Sequence, residues 1–228
     1  MDEKKRSDAV ARARSGGRPT KWWWAAGGTA IVAVLIVIIV VVTRDGSAPK
    51  PDANAVTIDS PAATTAVGVE SMPPWPAPAD ATAAARNAGL PMLSSEGNVE
   101  HIHVHLDVLN DGQLVPVPAN IGIDIARGAI SPLHTHDDTG VVHIESPVKR
   151  QFSLGEFFSE WGVSLSANNI GGVRSGDGKS VRVYVNGQPR AGDPAAIMFQ
   201  QHDEIALLYG TPKPGEAIPA NYDFPPGD

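Results

Sequence analysis

The chain contains no cysteine. That absence excludes a disulfide framework, a Cys-x-x-Cys metal site, a thiol nucleophile and thiolate-held clusters. Aromatic residues are scarce, at 6% of 228 residues. Basic residues are thin beyond the N-terminus: residues 1–43 carry 7 basic and 3 acidic side chains, whereas residues 44–228 carry 11 and 22. An acidic body repels phosphate backbones, so nucleic-acid binding is disfavoured. No dinucleotide fingerprint or Ser/His/Asp order is present, and GGVRSGDGK lacks the spacing and strand–loop–helix setting of a phosphate loop.

One long apolar run is present. Residues 25–43 are uncharged and rich in Ile and Val, and Trp22, Trp23 and Trp24 precede them. Together they reach about 20 residues, enough to cross a ~30 Å hydrocarbon core as a helix. The tryptophans suit an interfacial anchor, and the basic residues before them put the N-terminus in the cytoplasm. No good small-x-small cleavage site follows, which favours an uncleaved anchor over a signal peptide. The chain therefore divides into a basic tail (1–21), a transmembrane helix (22–43), a Pro/Ala-rich linker (44–79), an extracytoplasmic domain (80–212) and a Pro-rich acidic tail (213–228). The linker reads as an extended spacer, and the last segment as extended or disordered. The predicted localisation is the cytoplasmic membrane, with the domain outside.

Within the domain the expected class is α+β. Asp80 caps a short Ala-rich helix stopped by Gly89. HIHVHLDVLNDGQLVPV alternates polar and apolar residues and turns at Asn110-Asp111-Gly112. Its return strand, with Pro116 and Pro118, belongs at an edge. LHTHDDTGVVHIES is a second hairpin turning at Asp138-Thr139. Ser153 and Glu156 form a capping box, flanked by Phe152 and Phe157 as a hydrophobic staple, for a helix ended by Gly162. A glycine-rich loop and two strands, SVRVYVNG and DEIALLYG, follow. One helix crossing a mainly antiparallel or mixed sheet is a β-grasp-like arrangement.

The 7 histidines all lie between His101 and His202, six of them in two groups. Strand side chains alternate between faces. His101, His103, His105 and Asp107 therefore share one face of the first strand, opposite Ile102, Val104, Leu106 and Val108. In the second hairpin His134, His136, His143 and Glu145 share a face, with His134 opposite His143. Both sets are expected to project from the core as an exposed face. Opposed cross-strand residues have Cβ atoms about 4.5–5.5 Å apart, close enough for imidazoles to converge on one ion with M–N bonds near 2.0–2.1 Å. His134, His136 and His143 make the best set, and the His101/His103/His105 triplet offers another. Asp107, Asp137 and Glu145 are available to complete the shell or orient ring N–H groups. Nitrogen donors without thiolate suit Zn(II), Cu(II) or Ni(II), of which Zn(II) or Cu(II) is the expected ion. His202, beside polar neighbours, reads as a loop residue.

Other readings of the same residues remain open. They include a polar sheet face held by hydrogen bonds, a pH-responsive face, and a metal-dependent hydrolase or lyase with a three-histidine site. HVHLD and HTHD resemble metal motifs of amidohydrolases and related phosphoesterases, but those are barrels of about 250 residues. Copper–zinc superoxide dismutases need a disulfide, and the cupin spacing to a later Glu and His is missing.

A closer resemblance spans residues 80–210. AAARNAGLPMLSSEG, HIHVHLDVLNDGQLVPVPANIGID, ISPLHTHDDTGVVHIESP, FSLGEFFSEWGV and VYVNGQP…DEIALLYG are similar to a bacterial, mainly actinobacterial, family of membrane-anchored or secreted His-rich domains. That family shares the HxHxHL and LHTHDxxGxxHIES motifs. The resemblance implies domain limits and an envelope compartment rather than an activity. Relatives with a cysteine pair after Trp-Gly differ from this chain, which has NNIGGVRS there. The function expected from the sequence is binding of a divalent transition metal for buffering, sensing or delivery to an envelope protein partner. A non-catalytic scaffold is the other non-enzyme reading.

Overall fold

The computed structural model describes Ile58 and residues 62–227. The predicted basic tail, the transmembrane helix (22–43) and most of the first half of the linker lie outside the described residues. Among the described residues no helix is long and apolar enough to cross a membrane. The fold is α+β, mainly sheet with two helices.

Helix α1 (Ala81–Asn87) starts where the Asp80 carboxylate accepts the Ala83 N–H at 3.0 Å. The chain then enters β1 (Glu100–Asn110), turns through Asp111 and Gly112, and returns as β2 (Gln113–Val115). Both turn residues have positive φ, 51° and 82°, as a two-residue hairpin turn requires. β2 is short and pairs only with β1, consistent with the prolines that follow it. A small hairpin of β3 (Ile123–Asp124) and β4 (Ala129–Ile130) leads to β5 (Leu133–His134) and β6 (Val141–Ser146). Helix α2 (Leu154–Trp161) carries the full capping box, and Gly162 ends it at φ 77°.

The segment after α2 is not the simple loop expected from its glycines. It forms a three-stranded antiparallel sheet of β7 (Leu165–Ser166), β8 (Asn169–Ile170) and β9 (Val173–Arg174). Gly171 between them is required: φ is +54°, and a Cβ would lie 2.6 Å from Trp75 Nε1. Two-residue strands are too short to show a period, which is why alternation could not reveal them. β10 (Ser180–Val185), β11 (Gln188–Arg190), a 3-10 turn (Pro194–Ala196) and β12 (Glu204–Gly210) complete the domain.

The main sheet runs β11-β10-β12-β1-β6-β5, with β2 also on β1. β1 and β12 are parallel and the other pairs are antiparallel. One face is apolar: Val104, Leu106, Val108, Val142, Ile144, Leu133, Ile205 and Leu207 join Leu154, Phe157, Phe158 and Trp161 of α2 in one core. Glu160 of α2 is also fully buried, and burial raises its carboxyl well above the usual range.

Two segments expected to stand off the domain pack on it. Residues 62–79, read as the end of a spacer, lie along α2 and β7. Ala66 bridges Leu165, Val69 bridges Val163, and the Val67 N–H donates to Ser159 Oγ. Trp75 is 3% exposed and meets Trp161 edge-on at 5.8 Å. The C-terminal tail has no regular structure but is anchored, with Glu216 ion-paired to Arg182 and Tyr222 stacked on His105 at 3.9 Å. Pro-rich composition removes ladder donors without preventing aromatic packing, so composition alone overstated the freedom of both segments. Trp75→Ala is expected to lower unfolding free energy in urea by about 3–5 kcal/mol. A loss below about 0.5 kcal/mol would put residues 62–79 outside the cooperative unit.

Candidate metal centre

Strand β6 carries the centre because it has neighbours on both sides. His143 is the register partner of His103 on β1 and of His134 on β5, so three histidines form one row across the sheet. Glu145, two residues along the same face, is the partner of His101. The expected opposition of His134 and His143 is therefore present. The ladder stops at His134, however, and His136 reaches the cluster from the loop beyond β5. Because β1 and β6 pair directly, the two histidine groups meet as one cluster rather than standing on separate hairpins.

The rings are close. His103 and His143 centroids lie 4.5 Å apart, His136 and His143 4.6 Å, and His134 and His143 5.2 Å. His134 Nε2 and His136 Nε2 are 3.2 Å apart. Two nitrogens bound to one ion at about 2.05 Å and a tetrahedral angle stand about 3.3 Å apart, so this pair is already spaced as ligands. His134 Nδ1–H donates to the Ser131 carbonyl at 2.9 Å, which leaves Nε2 as the lone pair. His143 Nδ1 lies 3.2 Å from Glu145 Oε1; with a proton there, its Nε2 is likewise free. One ligand atom from each of His134, His136, His143 and Glu145 lies within 4.8 Å of all the others, and these groups can hold a metal ion.

Contrary to the expectation of an exposed face, most of the centre is buried. His134 is fully buried, His103 and Glu145 nearly so, and only His101 and His136 stay half exposed at side-chain values of 51% and 45%. The loop before β1 closes one side: Gly97 N–H donates to the Glu145 carbonyl, and Glu96 reaches within 3.6 Å of His136 Nε2. Gly97 allows this approach, since a Cβ would sit 2.1 Å from the Ser146 carbonyl carbon. Burial lowers the His134 pKa to about 3, so that ring is neutral and its lone pair available at ordinary pH. Burial works to raise the Glu145 carboxyl. Hydrogen bonding to His103 and His143, with His134 and His101 nearby, outweighs it and leaves the group ionised below its usual range.

His105 differs from the other five. Nδ1 lies 2.7 Å from Glu204 Oε2, and Nε2–H donates to the Thr139 carbonyl at 2.8 Å. Burial lowers its pKa, but the Glu204 carboxylate and the Thr139 carbonyl raise it above the ordinary value. His105, Asp107 and Glu204 form a further close group, yet both His105 nitrogens are engaged and Tyr222 covers the ring. Asp137 is not brought in: its carboxylate accepts the Thr139 N–H at 3.0 Å and the Thr139 hydroxyl, closing the turn. Sequence reasoning missed Glu96, Ser131 and Glu204. The first two lie in irregular segments, and Glu204 belongs to a strand whose pairing with β1 needs the crossover connection.

No protein-family profile, curated protein or solved structure matches this chain.

The folded chain keeps His134 neutral down to about pH 3, whereas the unfolded chain protonates it near 6.5. Between those values the unfolded state binds more protons. The contribution is therefore complete above pH 6.5 and is lost as pH falls toward 3. His134→Gln is expected to flatten the acid limb of the metal-free protein's stability curve by up to about 1.4 kcal/mol per pH unit. An unchanged limb in urea melts at stepped pH would contradict the burial assigned to this ring.

Proposed function

We propose that this chain is a membrane-anchored, extracytoplasmic domain that binds a divalent transition metal, Zn(II) or Cu(II), through His134, His136 and His143 with Glu145 beside them. The observation that carries the reading is the 3.2 Å separation of His134 Nε2 and His136 Nε2, with Nδ1 of His134 committed to the Ser131 carbonyl. Two lone pairs facing each other at that distance repel unless a proton or a cation stands between them. Buried His134 keeps its Nε2 lone pair free at ordinary pH, which suits a cation, since ligands must be deprotonated to bind.

The task that fits is buffering, sensing or delivery to a partner protein in the envelope. Glu145, the carboxylate nearest the three histidines, faces His143 Nδ1 at 3.2 Å, which favours a ligand-holding role over that of a general base. The apolar run 22–43 and the basic residues before it support the single-pass anchor and the outward-facing domain. The resemblance to the bacterial His-rich family supports the same compartment. The order β6-β1-β12-β10, a central parallel pair and the packing of α2 against the apolar face support the β-grasp-like reading of the fold.

The full chain, purified without nickel resin and stripped with chelator, is expected to bind Zn(II) with Kd below about 1 μM, roughly 8 kcal/mol. Its melting temperature should rise with free metal. Replacing both His134 and His143 by alanine should weaken that affinity at least 100-fold and remove the thermal shift. Equal affinity in a folded double variant would take the site off these residues.

A further inference from the structure

We propose that the cluster takes a second divalent transition-metal ion, held by His101 Nε2, His103 Nε2 and Glu145 Oε1 next to the His134–His136–His143 site. This deepens the metal-binding reading and rests on it. One atom organises the arrangement: Glu145 Oε1 lies 3.5 Å from His101 Nε2, 3.7 Å from His103 Nε2 and 3.2 Å from His143 Nδ1. Ligand pairs on a common ion stand about 3.3 Å apart at a tetrahedral angle and about 3.6 Å at 120°. The His101 and His103 distances therefore fit co-ligands of Glu145 with little movement, and one atom from each of the three lies within 4.8 Å of the other two.

A second observation points the same way. His103 is 2% exposed, yet its Nδ1 has no hydrogen-bond partner among the described residues. Buried polar atoms are almost always paired. An ion that takes the Nε2 lone pair moves the ring proton to Nδ1 and replaces the Nε2–H contact with Glu145, breaking no other hydrogen bond of the side chain. His105, the third member of the HxHxH run, lacks that freedom because both its nitrogens are hydrogen-bonded.

Glu145 then has two roles. It ligates the outer ion directly, and it holds His143 through Nδ1–H, which presents His143 Nε2 to the inner ion. Carboxylate–histidine–metal chains of this kind set ring orientation and ligand basicity. Each position has one half-exposed ligand, His101 at the outer ion and His136 at the inner, so both open to solvent.

The test uses the full chain, stripped of metal and titrated with Zn(II) against a chelator of known affinity. Two equivalents are expected for the unaltered chain. His101→Ala should weaken the second equivalent at least 10-fold and leave the first unchanged. The replaced side chain is half exposed, so that variant reads binding rather than folding. Glu145→Gln should abolish the second equivalent and weaken the first about 10–100-fold. With Cu(II) as probe, the second equivalent should broaden the electron paramagnetic resonance of the first through dipolar coupling. One equivalent in the unaltered chain, indifferent to His101→Ala, would overturn the second site and leave the first standing. No saturable binding in any form would overturn both.

Discussion

Strand pairing about β6 is the constraint on which the rest of the centre depends. His143 has His103 on one side and His134 on the other only because β6 lies between β1 and β5 in one particular register. A slip of one residue on either side would turn that strand's imidazoles into the apolar core and its Val and Ile side chains out of it. Val104, Val142, Ile144 and Leu133 are all fully buried, so the hydrophobic face enforces the register that the histidine face uses. Packing of apolar side chains and placement of nitrogen donors are two consequences of the same ladder.

Burial then determines what those nitrogens can do. A row of exposed histidines would be half protonated near neutral pH and would exchange partners with water. Here the loop around Glu96 and Gly97 and the backbone of Ser131 enclose most of the row. Removal from water disfavours the charged imidazole, while hydrogen bonds to carbonyls and to Glu145 decide which ring atom keeps the proton. The same physics separates His105 from its neighbours. A carboxylate on one side, a carbonyl on the other and the Tyr222 ring across its face make it a fixed element of the sheet. Alternate residues of one strand thus serve different purposes because different segments cover them.

Much of this was legible in the sequence, where the physics is local. Alternation along HIHVHLDV placed the histidines opposite the core, and the Asp111-Gly112 turn and the capping box of Ser153 and Glu156 formed as their chemistry dictates. The opposition of His134 and His143 followed from counting outward from the turn. The pairing of β1 with β6 did not, because some 30 residues separate the strands and no local signal ties His103 to His143. Nor did the docking of Trp75 and Tyr222, single aromatic side chains in proline-rich surroundings whose partners are far along the chain. Burial of the histidine face was missed for the same reason: it comes from segments that carry no periodic pattern of their own.

The most direct test of the central claim is X-ray absorption at the zinc edge on the full chain loaded with one equivalent of Zn(II). The account predicts a first shell at about 2.0–2.1 Å with the outer-shell scattering of three imidazole rings. A shell of oxygen donors with no imidazole scattering would contradict it, and would leave the row of His103, His143 and His134 as a hydrogen-bonded feature of the sheet alone.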